Sequence, residues 1–462
     1  MYQRYHIPTN LAPEIASFPN RTRVKVKKHG LAMHLFKDLI RYRGNRAVLL
    51  SRPCVYGVFS GPIGGFAPRS HACVGCLRCT IEHPEMVEIY PNPEHQHLGD
   101  TYFTPDHIDT ICYEARTGRI PVKGAGYRGP FGGLGWDGMW TDMSEIVRPT
   151  RDGIHGREFI STSVDIGQKP PFLTFDEQVL TSEDRVRILS IPIPILFDVP
   201  PASILSANFL QILVEAAQKA ETLVVLPVRA LHKFALQGTR IVPVFNAGDA
   251  SALTELRFAP PMIELDGCNK ALLKEIQMRF PKSTICLRLD FVSGEELLKH
   301  YRAGIRVFHL VANYHGLGRD GRFVLELIRK AHGTFVGAGC RDEVTLLGSG
   351  GIIAAEHVPK AIICGLDAIA LETALLAALQ AQFLGECFDW ERSSFRLPRK
   401  LTINWGVQRV ENLLGSWRDQ LLEVLGAMGL RDVRRLRGEI GRAMLQKDLE
   451  REAFSGIEGY DQ

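Results

Sequence analysis

The second half of the chain alternates short apolar runs with amphipathic stretches. From Pro192 onward, runs such as "PIPILFDV", "TICLRLD" and "VTLLGSGG" each precede a stretch whose apolar residues recur at three- and four-residue spacing. Continuous Val, Ile and Leu runs are typical of strands buried on both faces, which predicts a parallel sheet. Eight such pairs follow one another, so we predict an α/β fold with a closed (β/α)8 TIM barrel rather than an open doubly wound sheet.

Two segments of different character flank these units. The first part of the chain is rich in Gly, Pro, aromatic residues and His and shows little helical periodicity. Such a composition predicts an irregular but packed extension. After about residue 400, apolar residues again recur at helical spacing. We therefore divide the chain into an N-terminal extension (1–165), a barrel (166–400) and a C-terminal helical segment (401–462).

Composition narrows the function classes. The 462 residues include 55 Lys and Arg against 51 Asp and Glu, a net charge of +4 that does not indicate a nucleic-acid partner. No apolar run is long enough for a membrane helix, and the N-terminus lacks the apolar core of a signal peptide. We expect a cytoplasmic protein, in which the ten cysteines are thiols rather than disulfides.

Three of these cysteines are clustered in "HACVGCLRCTIEHP", residues 71–84. Cys73, Cys76 and Cys79 have the C-x2-C-x2-C spacing of bacterial ferredoxins, in which a fourth cysteine would follow where this chain has His83. Closely spaced thiolates are the preferred ligands of iron–sulfur clusters, so we predict a 4Fe-4S or 3Fe-4S cluster. Zinc is the alternative, although its structural sites usually combine two separated pairs of ligands.

The fourth ligand has three candidates. His83 occupies the ferredoxin position, but in two-cluster ferredoxins that position serves the other cluster. Cys54, in "SRPCVYG", lies far enough upstream to fold back, and Cys112 is a third possibility. We favour Cys54, because a thiolate stabilises such clusters better than an imidazole. A three-iron cluster with three ligands remains open.

Two glycine motifs differ in their surroundings. "GSGGI", Gly348–Ile352, ends the seventh predicted strand and begins a helix, which is where barrels commonly bind phosphate through backbone N–H groups. A tight strand-to-helix turn is the plain alternative. "GAGYRG", Gly124–Gly129, matches a dinucleotide motif but lacks the flanking strand and helix, so we reject it as a nicotinamide site.

Three long segments resemble the glutamate synthase-like family. They are Met139–Gly167, the stretch "LLGSGGIIAAEHVPKAIICGLDAIALETALLAAL" and the stretch "WGVQRVENLLGSWRDQLLEVLGAMGLRDVRRLRGEIGRAM". The family has an FMN-binding barrel that corresponds to the synthase domain of large glutamate synthase subunits. The cysteine-containing insert resembles archaeal-type members.

The resemblance implies a cofactor and its ligands. In the family, reduced FMN delivers a hydride to 2-iminoglutarate, which forms from 2-oxoglutarate and ammonia. By motif, the loop from Gly348 through Ser349 and Gly350 to Gly351 would bind the FMN phosphate, together with Thr373. Arg288 stands where the family has a lysine that approaches the flavin, and a cation there would stabilise anionic reduced flavin.

The chain also departs from the family pattern. The glycine that precedes the phosphate-binding threonine in the family is Glu372 here, and a carboxylate close to a phosphate is repulsive. The first-strand motif is replaced by "FDVPPAS", and the glycine-rich loop after strand six is replaced by "ANYHGLGRDG". The family's three-iron cysteine pattern inside the barrel is absent, as is the N-terminal cysteine of the glutaminase.

These observations lead to two functional hypotheses. The first is a glutamate synthase-like oxidoreductase acting on a CH–NH2 group, with His315 and Asp290 as acid–base candidates at the barrel's C-terminal mouth. Electrons would come from a ferredoxin or a reductase subunit, and ammonia would be free or supplied by a glutaminase subunit. The alternative is a catalytically degenerate relative that serves as an electron-transfer or assembly subunit.

Overall fold

A computed structural model describes residues 5–16, 18–51, 54–61, 63–121, 132–143, 159–168, 175–176, 179–180, 187–290 and 292–457. The motif at 124–129 lies outside these residues. Ala16–Asp100 forms one compact unit, and the described residues before and after it form a second, larger unit. No helix among the described residues is long and apolar enough to cross a membrane.

The smaller unit is built on one antiparallel strand pair. Strand β1 pairs with β2 over its whole length, from Thr22 opposite Pro91 to Val26 opposite Val87. The inner face of helix α1 contributes Leu31 to a core with Val58 and Phe59. The elements of this unit are, in chain order, β1 (Thr22–Val26), α1 (Lys28–Arg41), α2 (Arg46–Ser51), α3 (Arg78–Glu82), β2 (Val87–Pro91) and α4 (Pro93–Gln96).

The larger unit begins with elements that precede its barrel. Strand β4 pairs with β7 in an antiparallel ladder, and β5 pairs with β6 in the same way. These elements are α5 (Pro105–Thr117), β3 (Met139–Thr141), β4 (Val164–Gln168), β5 (Phe175–Asp176), β6 (Val179–Leu180) and β7 (Arg187–Ile191).

Eight parallel strands then close into a barrel, which confirms the predicted fold. Each strand pairs with the next along the chain, and the last strand pairs with the first. Their side chains are almost entirely buried, as the uninterrupted apolar runs require. The strands are β8 (Ile195–Phe197), β9 (Val224–Pro227), β10 (Ile241–Phe245), β11 (Met262–Asp266), β12 (Thr284–Leu289), β13 (Val307–Val311), β14 (Thr345–Ser349) and β15 (Ala368–Leu371).

An α-helix follows seven of the eight barrel strands. Strand β10 is followed by a 3-10 helix over Ala250–Glu255 instead of the expected α-helix. A proline pair, Pro260 and Pro261, lies between this segment and the next strand, and proline restricts the helical conformation of the residue before it. The barrel helices are α6 (Ala207–Lys219), α7 (Val228–Lys233), α8 (Lys270–Arg279), α9 (Gly294–Arg302), α10 (Val324–Gly337), α11 (His357–Ile363) and α12 (Thr373–Ala378).

The C-terminal helical segment is dominated by one long helix, α13 (Ile403–Ala427). Arg409 of this helix is fully buried and donates hydrogen bonds to the carbonyl oxygens of Ala378, Ala12 and Cys112. One guanidinium group thus connects α12, the N-terminal segment and α5. The remaining elements are β16 (Gln382–Phe383), β17 (Phe395–Arg396), β18 (Ala443–Leu445), which pairs with β3, and α14 (Gln446–Phe454).

Candidate functional site

Four cysteines of the smaller unit surround one cavity. Cys54, Cys73, Cys76 and Cys79 all line it. The rest of the lining is largely apolar and consists of Val24, Tyr56, Val58, Phe59, Val74, Leu77 and Ile89. The structure therefore brings Cys54, which was chosen from the sequence as a fourth ligand, to the three cysteines of the motif.

Local backbone geometry turns the motif cysteines toward the same space. Gly75 has φ of +70° and Leu77 has φ of +59°, so the chain passes through the left-handed region on both sides of Cys76. Glycine enters this region freely, whereas leucine is uncommon there. Helix α3 then begins and carries Cys79 into the core of the unit. These two left-handed residues determine the path of the loop that carries Cys76.

The distances between these thiols indicate which kind of metal centre they could bind. In the part of the chain that the structure describes, no three cysteine sulfurs lie within 4.8 Å of one another. A tetrahedral zinc ion would hold its thiolates about 3.8 Å apart, given Zn–S bonds of about 2.3 Å. Burial and the neighbouring thiols of Cys54, Cys73 and Cys76 raise the pKa of Cys79 to about 11. A metal centre would replace these protons.

The other two candidates for the fourth ligand have different surroundings. The ring of His83 packs against the ring of His34, with 4.2 Å between the centroids, and its Nδ1 lies 3.5 Å from Oε1 of Glu85. Cys112 belongs to the larger unit, where it is buried and its Sγ lies 3.5 Å from the carbonyl oxygen of Ala377. Neither residue lines the cavity formed by the four cysteines.

A second polar site lies inside the barrel of the larger unit, around Arg288 on β12. Its Nη1 donates to Oδ1 of Asp198 at 2.7 Å and to Oε1 of Glu264 at 2.8 Å, and its Nη2 donates to Oδ2 of Asp198 at 3.1 Å. His309 lies opposite Arg288 on β13, and its Nδ1 is 3.0 Å from Oε1 of Glu264. We call Asp198, Glu264, Arg288 and His309 the barrel cluster.

The charges of the barrel cluster stabilise one another. Burial favours the neutral form of the Asp198 carboxyl, but Arg288 and His309 hold its pKa below the usual value. Burial likewise opposes ionisation of Glu264, whose pKa His309 and Arg288 keep low. The two carboxylates in turn raise the pKa of Arg288, against the effect of its own burial. Both acids therefore remain ionised, and Arg288 is fully committed to them.

Glu372 is a buried carboxyl group in a very different environment. Burial, with a further contribution from Asp198, raises its pKa well above the usual value, against the opposing effects of Arg288 and nearby backbone N–H groups that include Gly350. Among the described residues, neither of its carboxyl oxygens has a well-formed hydrogen bond. The neutral form of Glu372, at the end of β15, is therefore favoured over the carboxylate compared with a carboxyl group in water.

The raised pKa of Glu372 predicts a specific dependence of stability on pH. Above about pH 4.5 the unfolded chain loses a proton that the folded chain keeps, so this group reduces the free energy of unfolding as pH rises, by up to about 1.4 kcal/mol per pH unit. Glu372→Gln should remove this slope. Urea unfolding between about pH 5 and pH 8 should show that the free energy of unfolding of the variant increases relative to that of the natural protein as pH rises. If the free energies of unfolding of Glu372→Gln and the natural protein changed with pH in parallel, the assignment would be wrong. The control variant Glu391→Gln, at an exposed position, should show this parallel behaviour.

The Gly348–Gly351 loop is held tightly by neighbouring groups. The N–H of Gly351 donates to the carbonyl oxygen of Tyr314 at 3.2 Å. The hydroxyl of Tyr102 donates to the carbonyl oxygen of Gly351 at 2.7 Å, and Nε1 of Trp136 donates to that of Gly350 at 3.3 Å. A Cβ on Gly350 would lie 2.9 Å from the Ala312 Cβ atom, so close packing also requires glycine here. One of these contacts uses a backbone N–H, that of Gly351, which the sequence assigned to a phosphate, and the other two use carbonyl oxygens.

Three hydroxyl groups at the same end of the barrel are buried and have no hydrogen-bond partner among the described residues. They belong to Tyr314, Ser349 and Thr373. These residues follow or end β13, β14 and β15, which are adjacent in the barrel. The mouth therefore contains unused hydrogen-bonding groups beside Glu372, although the Gly351 N–H of the glycine loop is engaged.

The two acid–base candidates have separate partners. His315 is buried among aromatic rings, with centroid distances of 5.2 Å to Tyr102 and 4.6 Å to Phe388. Asp290 is partly exposed, and its Oδ2 accepts from Nε of the exposed Arg319 at 2.7 Å. The roles of His315 and Asp290 as an acid and a base remain predictions.

Sequence reasoning missed Glu264, His309 and Tyr314 as members of this site. A signal was present, because Glu264 in "MIELDG" and His309 in "RVFHLVAN" are polar residues within otherwise apolar strands. A charged residue in a strand buried on both faces must face the interior of the barrel or find a buried partner. Their partners, however, could be identified only from the barrel's register.

Comparison with known proteins places these sites in a family context. A family profile described as a conserved region in glutamate synthase matches residues 320–431, which include the glycine loop and Glu372. An archaeal-type glutamate synthase [NADPH] of Dehalococcoides mccartyi is 24% identical over 434 residues, covering 80% of this chain and 86% of the relative. The predicted resemblance to the glutamate synthase-like family is confirmed.

Other glutamate synthase relatives extend this similarity. An archaeal-type glutamate synthase [NADPH] of Thermotoga maritima is 25% identical over 473 residues, covering 86% of this chain and 92% of the relative. An archaeal glutamate synthase [NADPH] of Methanocaldococcus jannaschii is 34% identical over 122 residues, which is 24% of each chain. The similarity to glutamate synthases thus extends over most of the chain at low identity.

Solved structures also show partial similarity to this chain. A mutant flavocytochrome b2 with pyruvate bound has a TM-score of 0.43 and 11% identity, over 67% of this chain and 76% of that one. A mandelate oxidase mutant with a monooxide FMN adduct has a TM-score of 0.40 and 15% identity, over 63% and 91%.

Proposed function

We propose that this chain is a glutamate synthase-like oxidoreductase that carries an iron–sulfur cluster on Cys54, Cys73, Cys76 and Cys79. The convergence of four thiols on one largely apolar cavity carries the proposal. Four cysteine thiolates are the usual ligands of a 4Fe-4S cluster. The C-x2-C-x2-C spacing of the motif favours an iron–sulfur cluster over zinc, whose structural sites usually combine two separated pairs of ligands.

An iron–sulfur cluster supplies one-electron transfer when it is bound. The positions of the four cysteines determine which side of the cluster would be accessible to an electron donor. Cys79 is buried and Cys76 is exposed, so one side of the cysteine cavity faces solvent and the other faces the apolar core. A ferredoxin or a reductase subunit would deliver electrons at the exposed side.

FMN is the second cofactor that the resemblance implies, and its expected ligands were tested against the geometry of the barrel. The Gly351 N–H already has a protein acceptor, and the buried Glu372 carboxyl lies near Gly350. A phosphate on this loop would have to displace the Tyr314 carbonyl and approach a buried carboxyl group. The residues therefore do not fit the FMN phosphate in the expected way, and no step of the proposed function uses it.

The closed glycine loop favours a second candidate function. The chain would then be an electron-transfer or assembly subunit of a glutamate synthase-like complex, and another subunit would carry out amino-acid chemistry. The two candidates share the cluster and differ in whether this chain alone forms glutamate from 2-oxoglutarate and ammonia.

One experiment tests the proposal and separates the two candidates. The full chain, isolated without oxygen, is mixed with reduced ferredoxin, and we expect partial bleaching of its broad visible absorbance. 2-Oxoglutarate and an ammonium salt are then added, and glutamate is measured. Glutamate formation with recovery of the absorbance supports the first candidate, whereas bleaching without glutamate supports the second. Iron–sulfur absorbance that reduced ferredoxin leaves unchanged contradicts both.

A further inference from the structure

The Gly348–Gly351 loop, which the sequence predicts to bind phosphate, makes hydrogen bonds with other parts of the protein. In barrels, a phosphate at this position is held by backbone N–H groups after strands seven and eight. Here the Gly351 N–H donates to the carbonyl oxygen of Tyr314, and the Glu372 carboxyl lies near Gly350 without a well-formed hydrogen bond to it. The carbonyl side of the loop is fixed as well, by Tyr102 and Trp136. The loop is thus held from both sides by the protein.

The charge of the site has also changed. Where the resemblance places a glycine before Thr373, this chain has Glu372, which is 4% exposed. A second carboxylate, Asp198, is near enough to raise the pKa of Glu372 further. A phosphate would bring negative charge near the ionised Asp198, in a buried region where repulsion between charges is poorly screened, and it would have to share the space with the Glu372 side chain.

Arg288, the cation expected to face the flavin ring, is already paired with two carboxylates of the protein. The Arg288 guanidinium makes three hydrogen bonds with the carboxylates of Asp198 and Glu264. Stabilising anionic reduced flavin would require Arg288 to leave at least one buried carboxylate without its counter-charge, which is costly. At the ring end the Arg288 cation is therefore already paired, and at the phosphate end the Gly351 N–H is already bound by the backbone carbonyl of Tyr314. The hydroxyl groups of Ser349, Thr373 and Tyr314 have no partner among the described residues.

We infer that this barrel closes its own phosphate site with Glu372 and the Tyr314 carbonyl, and that it does not bind FMN. The inference goes beyond the proposed function, because it concerns the barrel of the larger unit rather than the cysteines. It also identifies Glu372 as the residue that determines cofactor specificity at the end of β15.

The test measures flavin directly on the full-length chain. Protein isolated without oxygen is denatured, and the released flavin is measured by fluorescence. Separate samples are titrated with FMN, and quenching of flavin fluorescence reports binding. We expect no stoichiometric flavin in the natural protein and no saturable quenching. Glu372→Gly, which removes the carboxyl group and restores glycine, should raise the affinity for FMN at least about tenfold.

Controls separate the possible outcomes. Circular dichroism verifies that Glu372→Gly is folded, and the exposed Glu391→Gly should leave FMN binding unchanged. One FMN per natural chain would overturn the inference, with no variant needed. A folded Glu372→Gly that still excludes FMN would overturn the role of Glu372. Iron is measured in the same samples, so iron together with FMN counts against this inference alone, and absence of iron counts against the proposed function alone.

Discussion

Cys54→Ser should lose the four-iron cluster while Cys112→Ser keeps it. Cys54 lines the same cavity as the three cysteines of the motif, although it lies outside the motif. A serine hydroxyl is a hard, weakly acidic ligand and replaces a thiolate poorly at an iron–sulfur centre. We expect iron to fall from about four per chain to about three or fewer, with a corresponding loss of sulfide. Iron and sulfide analysis of protein isolated without oxygen measures the change.

Two control variants make this result specific to Cys54. Cys112 is buried in the larger unit, and a serine there could retain the hydrogen bond to Ala377. His83→Ala removes the histidine at the ferredoxin position, which contacts His34 instead of lining the cavity. Both variants should contain as much iron as the natural protein. If His83→Ala lost iron and Cys54→Ser did not, the ligand set proposed for the cluster would be wrong.

Arg288→Met should destabilise the larger unit more strongly than any substitution at an exposed ion pair. The change leaves Asp198 and Glu264 buried with no guanidinium to balance them. Removing one partner of a buried ion pair typically costs about 3–5 kcal/mol of unfolding free energy. Without Arg288, burial raises the pKa of both carboxyls, so the loss should be larger at neutral pH than in acid, where they can be protonated.

Arg319→Met is the matched control for this effect. Arg319 also pairs with an aspartate, Asp290, but its side chain is 91% exposed. Exposed pairs of this kind contribute less than about 1 kcal/mol. Urea unfolding of both variants should therefore show a large loss for Arg288→Met and a small one for Arg319→Met. Equal losses would mean that the barrel cluster does not depend on the Arg288 charge.

The barrel could be predicted because its strands are buried on both faces. An uninterrupted run such as "TICLRLD" on β12 can be recognised without knowing its neighbours. The connection after β10 was less predictable. Its apolar spacing resembles a helix, but the chain forms only the 3-10 segment Ala250–Glu255 before the proline pair that leads to β11.

The grouping of the cysteines was easiest to predict where they lie close together in sequence, although Cys54, which lies outside the motif, was also expected and lines the same cavity. The spacing of Cys73, Cys76 and Cys79 indicates a shared centre, because one loop can direct all three side chains to one place. The state of the glycine loop could not be inferred in this way. Its hydroxyl partner, Tyr102, lies 249 residues before Gly351, and the Tyr314 carbonyl becomes its acceptor only when the barrel closes.

Glu372 shows what a single departure from a family pattern can and cannot reveal. The sequence shows that a carboxyl group replaces the expected glycine, and charge repulsion with a phosphate follows directly. Its burial, its raised pKa and its proximity to Asp198 are tertiary properties. These properties, together with the substitution itself, lead to the inference that the barrel does not bind FMN.

The measurement that tests the central claim most directly is a metal and sulfide analysis of the natural full-length chain, isolated without oxygen. If the four cysteines hold an iron–sulfur cluster, the protein should contain about four iron and four sulfide per chain and no stoichiometric zinc. One zinc per chain without sulfide, or no bound metal at all, would contradict the account.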